Sequence, residues 1–198
     1  MSALFVDTVF IDIDTQLDFL YPAGALYVPG AELLIPTLAH LTRYAGQHGI
    51  PLISTVDAHT ENDPEFQSWP KHCVAGTAGQ HKAEATLLAR RVVVPNREGD
   101  LALGDAQQIV VEKQTVDAFQ THTFARIVRR LNPDRIVVYG VVTEICVLHA
   151  VRGLLPFGKP IVVVIDAIRS LTAQASRGAL EEMRAGGAIL ATAAEVTP

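Results

Sequence analysis

Six short apolar runs constrain this chain more than any other feature: Thr8–Ile13, Pro51–Val56, Gln108–Glu112, Arg135–Gly140, Ile161–Ile165 and Ala188–Ala191. They are rich in β-branched residues, and most are apolar at successive positions instead of alternating. Such strands must be covered on both faces. Between them lie longer stretches at helical spacing, near Glu32–His48, Thr121–Leu131, Glu144–Leu155 and Gln174–Ala185. Pro133, Pro156 and Gly186–Gly187 punctuate the helix ends. Strand–helix alternation of this kind predicts a parallel sheet between two helical layers, a three-layer α/β/α fold.

The chain reads as one domain over residues 1–198, interrupted by an irregular insertion at about 57–105. That insertion holds the only Trp, a helical pattern only at Ala83–Arg90, and a candidate extra strand at Val92–Pro95. Hydrophobic residues make up 49% and charged residues 19%, which suits a globular core and excludes a disordered chain. The net charge of −5 comes without any basic stripe, so neither nucleic acid nor an anionic membrane surface is an expected partner. The opening stretch MSALFVDTVFIDID carries Asp7, Asp12 and Asp14 and no cationic start. It reads as a buried strand and not as a signal peptide. No apolar run reaches the length of a membrane span. Two cysteines, Cys73 and Cys146, make no disulfide framework and suit a reducing cytoplasm.

Ligands of parallel α/β sheets bind beyond the carboxyl ends of the strands, so the residues leaving each strand matter most. The first strand ends at Asp14, the second at Asp57-Ala58-His59, the third at Glu112-Lys113, and the fourth runs through Gly140 toward Cys146. An acid, an Asp-x-His pair, a lysine and a cysteine are thereby expected on one rim. Cys146 follows a strand and a short turn and begins a helical pattern, where unpaired N–H groups stabilise a thiolate and an oxyanion. Position alone leaves it open between a nucleophile and a small core residue. A carboxylate at Asp14 could take and return a proton, and Lys113 could steady a thiolate. The same residues could equally be a turn residue and a snorkelling lysine. Asp12 points the same way as Asp14, one pleat deeper. Asp57, His59 and His72 form a ligand set for zinc, iron or manganese, or simply a polar loop. His40, His48, His81, His122 and His149 read as helix-face or loop residues.

These segments resemble the isochorismatase-like cysteine hydrolases, and within them the nicotinamidase/pyrazinamidase branch. The resemblance rests on Asp14-Thr15-Gln16-Leu17-Asp18-Phe19 with Gly24-Ala25-Leu26, on Thr55-Val56-Asp57-Ala58-His59, and on Trp69-Pro70-Lys71-His72-Cys73-Val74 with Gly76-Thr77. It continues through Glu112-Lys113 before Asp117-Ala118-Phe119, and Gly140-Val141-Val142-Thr143-Glu144-Ile145-Cys146-Val147. It implies Cys146 as nucleophile, Asp14 as general acid/base and Lys113 as the third catalytic member. It implies a cis peptide at Val141–Val142, an oxyanion hole from the N–H groups of Val142 and Cys146, and a substrate pocket with Phe19, Leu26, Trp69 and Val142. One divalent metal ion, zinc first and iron or manganese next, would sit on Asp57, His59 and His72, with Glu65 as a further candidate ligand. The implied sheet has six parallel strands in order 3-2-1-4-5-6, and the implied assembly is a homo-oligomer. The implied reaction is hydrolysis of a small amide, nicotinamide first and a ureido, maleamate or N-carbamoyl compound as the alternative. Vinyl-ether cleavage and a non-catalytic binding domain fit less well, since the metal set and all three catalytic types are present. Leu17, Ala58 and Gln114 depart from the family's usual residues at positions bordering the pocket.

Overall fold

The computed structural model describes residues 7–198. Residues 1–6, part of the opening stretch expected to run as strand, lie outside the described residues. The strands are β1 (Thr8–Ile13), β2 (Leu52–Asp57), β3 (Arg91–Val94), β4 (Gln108–Lys113), β5 (Arg135–Val141), β6 (Ile161–Arg169) and β7 (Ile189–Ala191). They form one seven-stranded sheet in order β3-β4-β2-β1-β5-β6-β7, with every pairing parallel. The expected six-stranded sheet is thus corrected to seven. The added edge strand is the run near Val92–Pro95, and without it the order is the expected 3-2-1-4-5-6. β3 is short and half-exposed, with Val93 53% accessible, as befits a strand at the sheet's edge.

The helices are α1 (Leu17–Leu20), α2 (Ile35–His48), α3 (Phe124–Leu131), α4 (Leu148–Leu154), α5 (Ala173–Ala185) and α6 (Ala193–Val196). Parallel crossovers are right-handed, and the chain leaves β1 in opposite directions toward β2 and toward β5–β7. α2 therefore covers one face, and α3, α4 and α5 cover the other. The inner residues Val9, Phe10 and Ile11 of β1 and Ile136, Val137 and Val138 of β5 are fully buried between these layers.

Three helical stretches differ from expectation, each because backbone groups found other partners. Pro36 in the first turn of α2 separates a 3-10 turn at Ala31–Leu34 from the helix proper. Thr121 accepts the Phe124 N–H at 3.1 Å, so α3 starts three residues later than its apolar pattern. Ala83–Arg90 yields only a 3-10 turn at Glu84–Thr86, because Leu88 N–H donates to the Gln108 side chain and the Arg90 carbonyl accepts from Gln107 and Gln108 of the neighbouring strand.

Gly140 decides how β5 reaches the rim. It sits at φ 120°, and a Cβ there would meet the Ile13 carbonyl oxygen at 2.1 Å. Only glycine lets β5 run this close to β1 just before the turn that carries Cys146.

Candidate active site

The parallel register brings the strand ends together. Asp57 and Lys113 are direct neighbours across β2 and β4, and Ile13 is the neighbour of Gly140 across β1 and β5. Asp14 follows β1 in a left-handed conformation, φ 51°, which ends the strand's alternation. Its N–H donates to the Thr55 carbonyl and hydroxyl oxygens at 3.2 Å, and the Thr55 hydroxyl donates to Asp14 Oδ1 at 2.6 Å. Thr55 is therefore what aims this carboxylate, a role the sequence reading did not assign.

Lys113 lies at the centre, 1% exposed. Its Nζ is 2.9 Å from Asp14 Oδ2, in close contact with Asp57 Oδ1, and 4.0 Å from Cys146 Sγ. Burial works against its charge, but the Asp14 and Asp57 carboxylates outweigh burial and hold its pKa well above the ordinary lysine value. For Asp57, burial is overcome by Lys113 and by the two histidines, and its pKa falls. Asp14 goes the other way. Burial raises its carboxyl against the pull of Lys113, and the nearby Asp57 charge raises it further. Burial also pushes the Cys146 thiol well above its usual value, Lys113 opposes this, and the two carboxylates add to it. The free site thus favours a protonated thiol beside a carboxylate that readily takes a proton.

Cys146 sits in a five-residue π-helical turn, Thr143–Val147, ahead of α4, and not on a regular first helical turn. The Val147 N–H reaches back to the Val142 carbonyl at 3.1 Å, and this i to i−5 bond widens the turn around the thiol. The peptide bond between Val141 and Val142 is cis. Cys73 is also buried, but its Sγ faces the Gly79 carbonyl at 3.8 Å, and burial with nearby carboxylates pushes its pKa up.

Asp57, His59 and His72 place ligand atoms within 4.8 Å of one another, all buried. Asp57 Oδ2 lies 3.8 Å from His59 Nε2 and 3.5 Å from His72 Nε2. Ligand atoms at about 2.0–2.1 Å from one tetrahedral ion sit about 3.3 Å apart, so the spacing suits a shared cation. His72 Nδ1 is 2.7 Å from the Pro70 carbonyl, which fixes the proton there and turns Nε2 inward. Neither ring nitrogen of buried His59 has a hydrogen-bond partner, although Nδ1 lies 3.2 Å from Asp63 Oδ2. A buried imidazole left in this state is what a metal ligand looks like before the ion is counted. The residues therefore fit a divalent metal ion. Glu65 lies outside the three-residue grouping, half-buried on the pocket wall.

Two segments must be pinned for that trio to form. A parallel bridge joins His59 to Val74, with the His59 N–H donating to Cys73 O at 3.1 Å and the Ala75 N–H to His59 O at 2.9 Å. Gln16 then clamps Asp57 by its backbone: Oε1 accepts the Asp57 N–H at 2.7 Å, and Nε2 donates to the Asp57 carbonyl at 2.8 Å and the Gln80 carbonyl at 2.7 Å. Asp18 accepts from the Ala25 N–H at 2.9 Å and the Cys73 N–H at 2.7 Å, tying the stretch before Leu26 to the stretch after His72. A fully buried Gln and a nearly buried Asp beside strand β1 were the available signal for these clamps.

Asp57, His72 and the thiol open on one pocket lined by Phe19, Leu26, Val28, Trp69, Val116, Val142, Ile145 and Leu171, with Glu65 on the same wall. The Phe19 ring packs 5.4 Å from that of His72. Phe66 covers both histidines, with ring centres 5.1 and 5.8 Å away, a contact absent from the sequence reading.

A family model described as the isochorismatase domain matches residues 8–195. The chain is similar to a nicotinamidase of Escherichia coli, 26% identical and covering 92% of this chain and 93% of the relative. It is similar to a nicotinamidase/pyrazinamidase of Mycobacterium tuberculosis, 27% identical over 88% of this chain and 92% of the relative. Among solved structures, a pyrazinamidase of Pyrococcus horikoshii in complex with zinc superposes with a TM-score of 0.78 at 26% identity, covering 94% of this chain and 99% of that one. With a family match spanning nearly every described residue and a fold that superposes over nearly the whole chain, this chain belongs to the isochorismatase domain family.

Proposed function

We propose that the protein is a cysteine amidohydrolase of small uncharged aromatic carboxamides, with nicotinamide and pyrazinamide as its substrates. The observation that carries the reading is the Cys146–Lys113–Asp14 cluster at one wall of an apolar pocket whose adjoining wall is the Asp57–His72 edge of the metal-ligand set. The similarity to nicotinamidases supports it. So does the charge of the wall: among the described residues no arginine or lysine lines the pocket, and its ionisable groups besides Cys146 are Asp57, Glu65 and His72. Apart from the divalent ion that Asp57, His59 and His72 would hold, a carboxylate-bearing ureido or maleamate substrate would find no counter-charge on that wall.

In this reading Asp14 accepts the thiol proton as Cys146 Sγ attacks the amide carbon, and Lys113 keeps the paired negative charges tolerable. The N–H groups of Val142 and Cys146 receive the developing oxyanion. Asp14 returns the proton to the departing nitrogen, ammonia leaves, and water activated by Asp14 then cleaves the thioester to the acid. Asp57, His59 and His72 would hold one divalent ion, zinc first, which when bound supplies an open ligand position for a ring nitrogen. Phe19 and Trp69 exclude water around the ring.

The test is ammonia release from nicotinamide, pyrazinamide, benzamide, maleamate and an N-carbamoyl amino acid, with metal content measured on the same preparation. The expected order puts nicotinamide and pyrazinamide first, benzamide lower by roughly a hundredfold for want of the ring nitrogen, and the anionic compounds last. Rapid turnover of an anionic compound with none of nicotinamide would overturn the substrate class. Stoichiometric metal surviving a His59→Ala/His72→Ala change would move the metal elsewhere.

A further inference from the structure

Leu171 stands on the short connection between β6 and α5. Its side chain lines the pocket although the residue is 43% exposed, a poor position for leucine unless something apolar comes to cover it. What holds it there is a charged hydrogen bond. The Leu171 N–H donates to Glu144 Oε1 at 2.9 Å, across 27 residues of chain. Glu144 belongs to the same turn as Cys146, and its neighbour Ile145 also lines the pocket. One carboxylate thus fastens the outer wall of the pocket to the turn that carries the thiol. Flanking bonds hold the connection at its ends, Arg169 Nε to the Pro29 carbonyl at 2.9 Å and the Thr172 hydroxyl accepting the Ala175 N–H at 3.1 Å. Neither fixes Leu171 itself.

We propose that Glu144 is a positioning residue and that Leu171, held by it, sets the size of the uncharged ring the site accepts. The proposal rests on the amidohydrolase reading above. Leu171 has no polar side-chain atom with which to touch the reacting carbonyl. Its contact with an apolar ring is the same in the bound substrate and in the transition state, so loosening it changes KM and leaves kcat nearly alone.

The experiment compares the wild-type protein with Glu144→Ala, Glu144→Gln and Leu171→Ala, all with metal bound. The substrates are nicotinamide and nicotinamides methylated in turn at each free ring carbon. Glu144→Ala should raise KM for nicotinamide about tenfold, as expected for losing one charge-assisted hydrogen bond, with kcat within about threefold. Glu144→Gln keeps an acceptor oxygen and should recover most of that loss. Leu171→Ala should raise kcat/KM about tenfold for at least one methylated isomer relative to wild type, the scale of one methyl group in an apolar pocket. Hydrogen exchange at the Leu171 amide gives a readout that needs no turnover: protection should fall in Glu144→Ala and persist in Glu144→Gln. Unchanged protection in Glu144→Ala overturns the tether. Equal exclusion of every methylated isomer by wild type and Leu171→Ala overturns the size-setting role. A wild-type protein inactive on every amide would sink the amidohydrolase reading, and the size-setting role with it, while hydrogen exchange would still decide the tether.

Discussion

The end of strand β1 and the residue after it carry two buried lysine–aspartate pairs two residues apart, and they are built for different ends. Asp12 pairs with Lys82 at 2.7 Å, and Asp14 pairs with Lys113 at 2.9 Å. All four residues are at most 7% exposed. Around the first pair the neighbours are hydroxyls: Lys82 Nζ reaches Thr15 Oγ1 at 2.5 Å, and Asp12 Oδ2 accepts from Thr15 at 3.1 Å and Ser54 at 3.4 Å. One positive charge meets one negative charge, and the remaining titratable neighbour, the Tyr139 phenol, is held neutral by burial and by the Asp12 charge. Around the second pair, a single ammonium faces two carboxylates and a thiol. Burial first, and then the second carboxylate, raise the Asp14 carboxyl against the pull of Lys113, which suits it to accept a proton. A buried ion pair is therefore not in itself a mark of catalysis. The unbalanced one, opening on a cavity, is the candidate.

The comparison breaks most sharply under Asp14→Asn. Asparagine keeps the shape and loses the proton transfer, so ammonia release should drop by about a thousandfold or more, while the unfolding free energy from urea titration stays within about 1 kcal/mol of wild type. Near-normal turnover would put both pairs in the same class. Lys82→Met reverses the pattern. It leaves the Asp12 charge buried and unpaired, which should cost about 3–5 kcal/mol of stability with kcat per folded molecule nearly unchanged. Adding Asp12→Asn should restore much of that stability. Loss of kcat without loss of stability would make the Lys82 pair part of the chemistry.

The smallest effect is a pH dependence on the structural side. Tyr139 lies beside Asp12 in the sheet, and burial first, then the Asp12 charge, hold its phenol well above the usual value of 10.0. Its folded pKa exceeds its unfolded one. Its contribution to stability is therefore complete below about pH 10 and is lost above it, as the unfolded chain releases the proton first, at about 1.4 kcal/mol per pH unit. Urea titrations between about pH 9 and 11, where tyrosine ionises, should show a shallower alkaline decline in Tyr139→Phe than in wild type. Identical slopes would remove Tyr139 from this account.

The parallel sheet and the rim on which Asp14, Asp57, Lys113 and Cys146 gather were both legible in the sequence pattern, while the strand order was implied by the family resemblance. Apolar runs at strand length, separated by helical spacing, admit few arrangements, and in a parallel sheet every strand delivers its last residue to the same side. Such periodicity is local, so it survives being read one segment at a time. The edge strand β3 was weaker because its apolar run is only three valines long and lies inside the irregular insertion. The Asp12–Lys82 pair spans 70 residues, the Gln16 clamp on Asp57 spans 41, and the Glu144 bond to Leu171 spans 27. Each joins a strand end or turn to a segment with little pattern of its own. Asp12 and Asp14 look alike in the chain, being the same residue type two positions apart where the first apolar run ends. Only the tertiary structure gave one a single lysine among hydroxyls and the other a lysine shared with a second carboxylate and a thiol, because the field at a buried charge depends on distance through space and not along the chain.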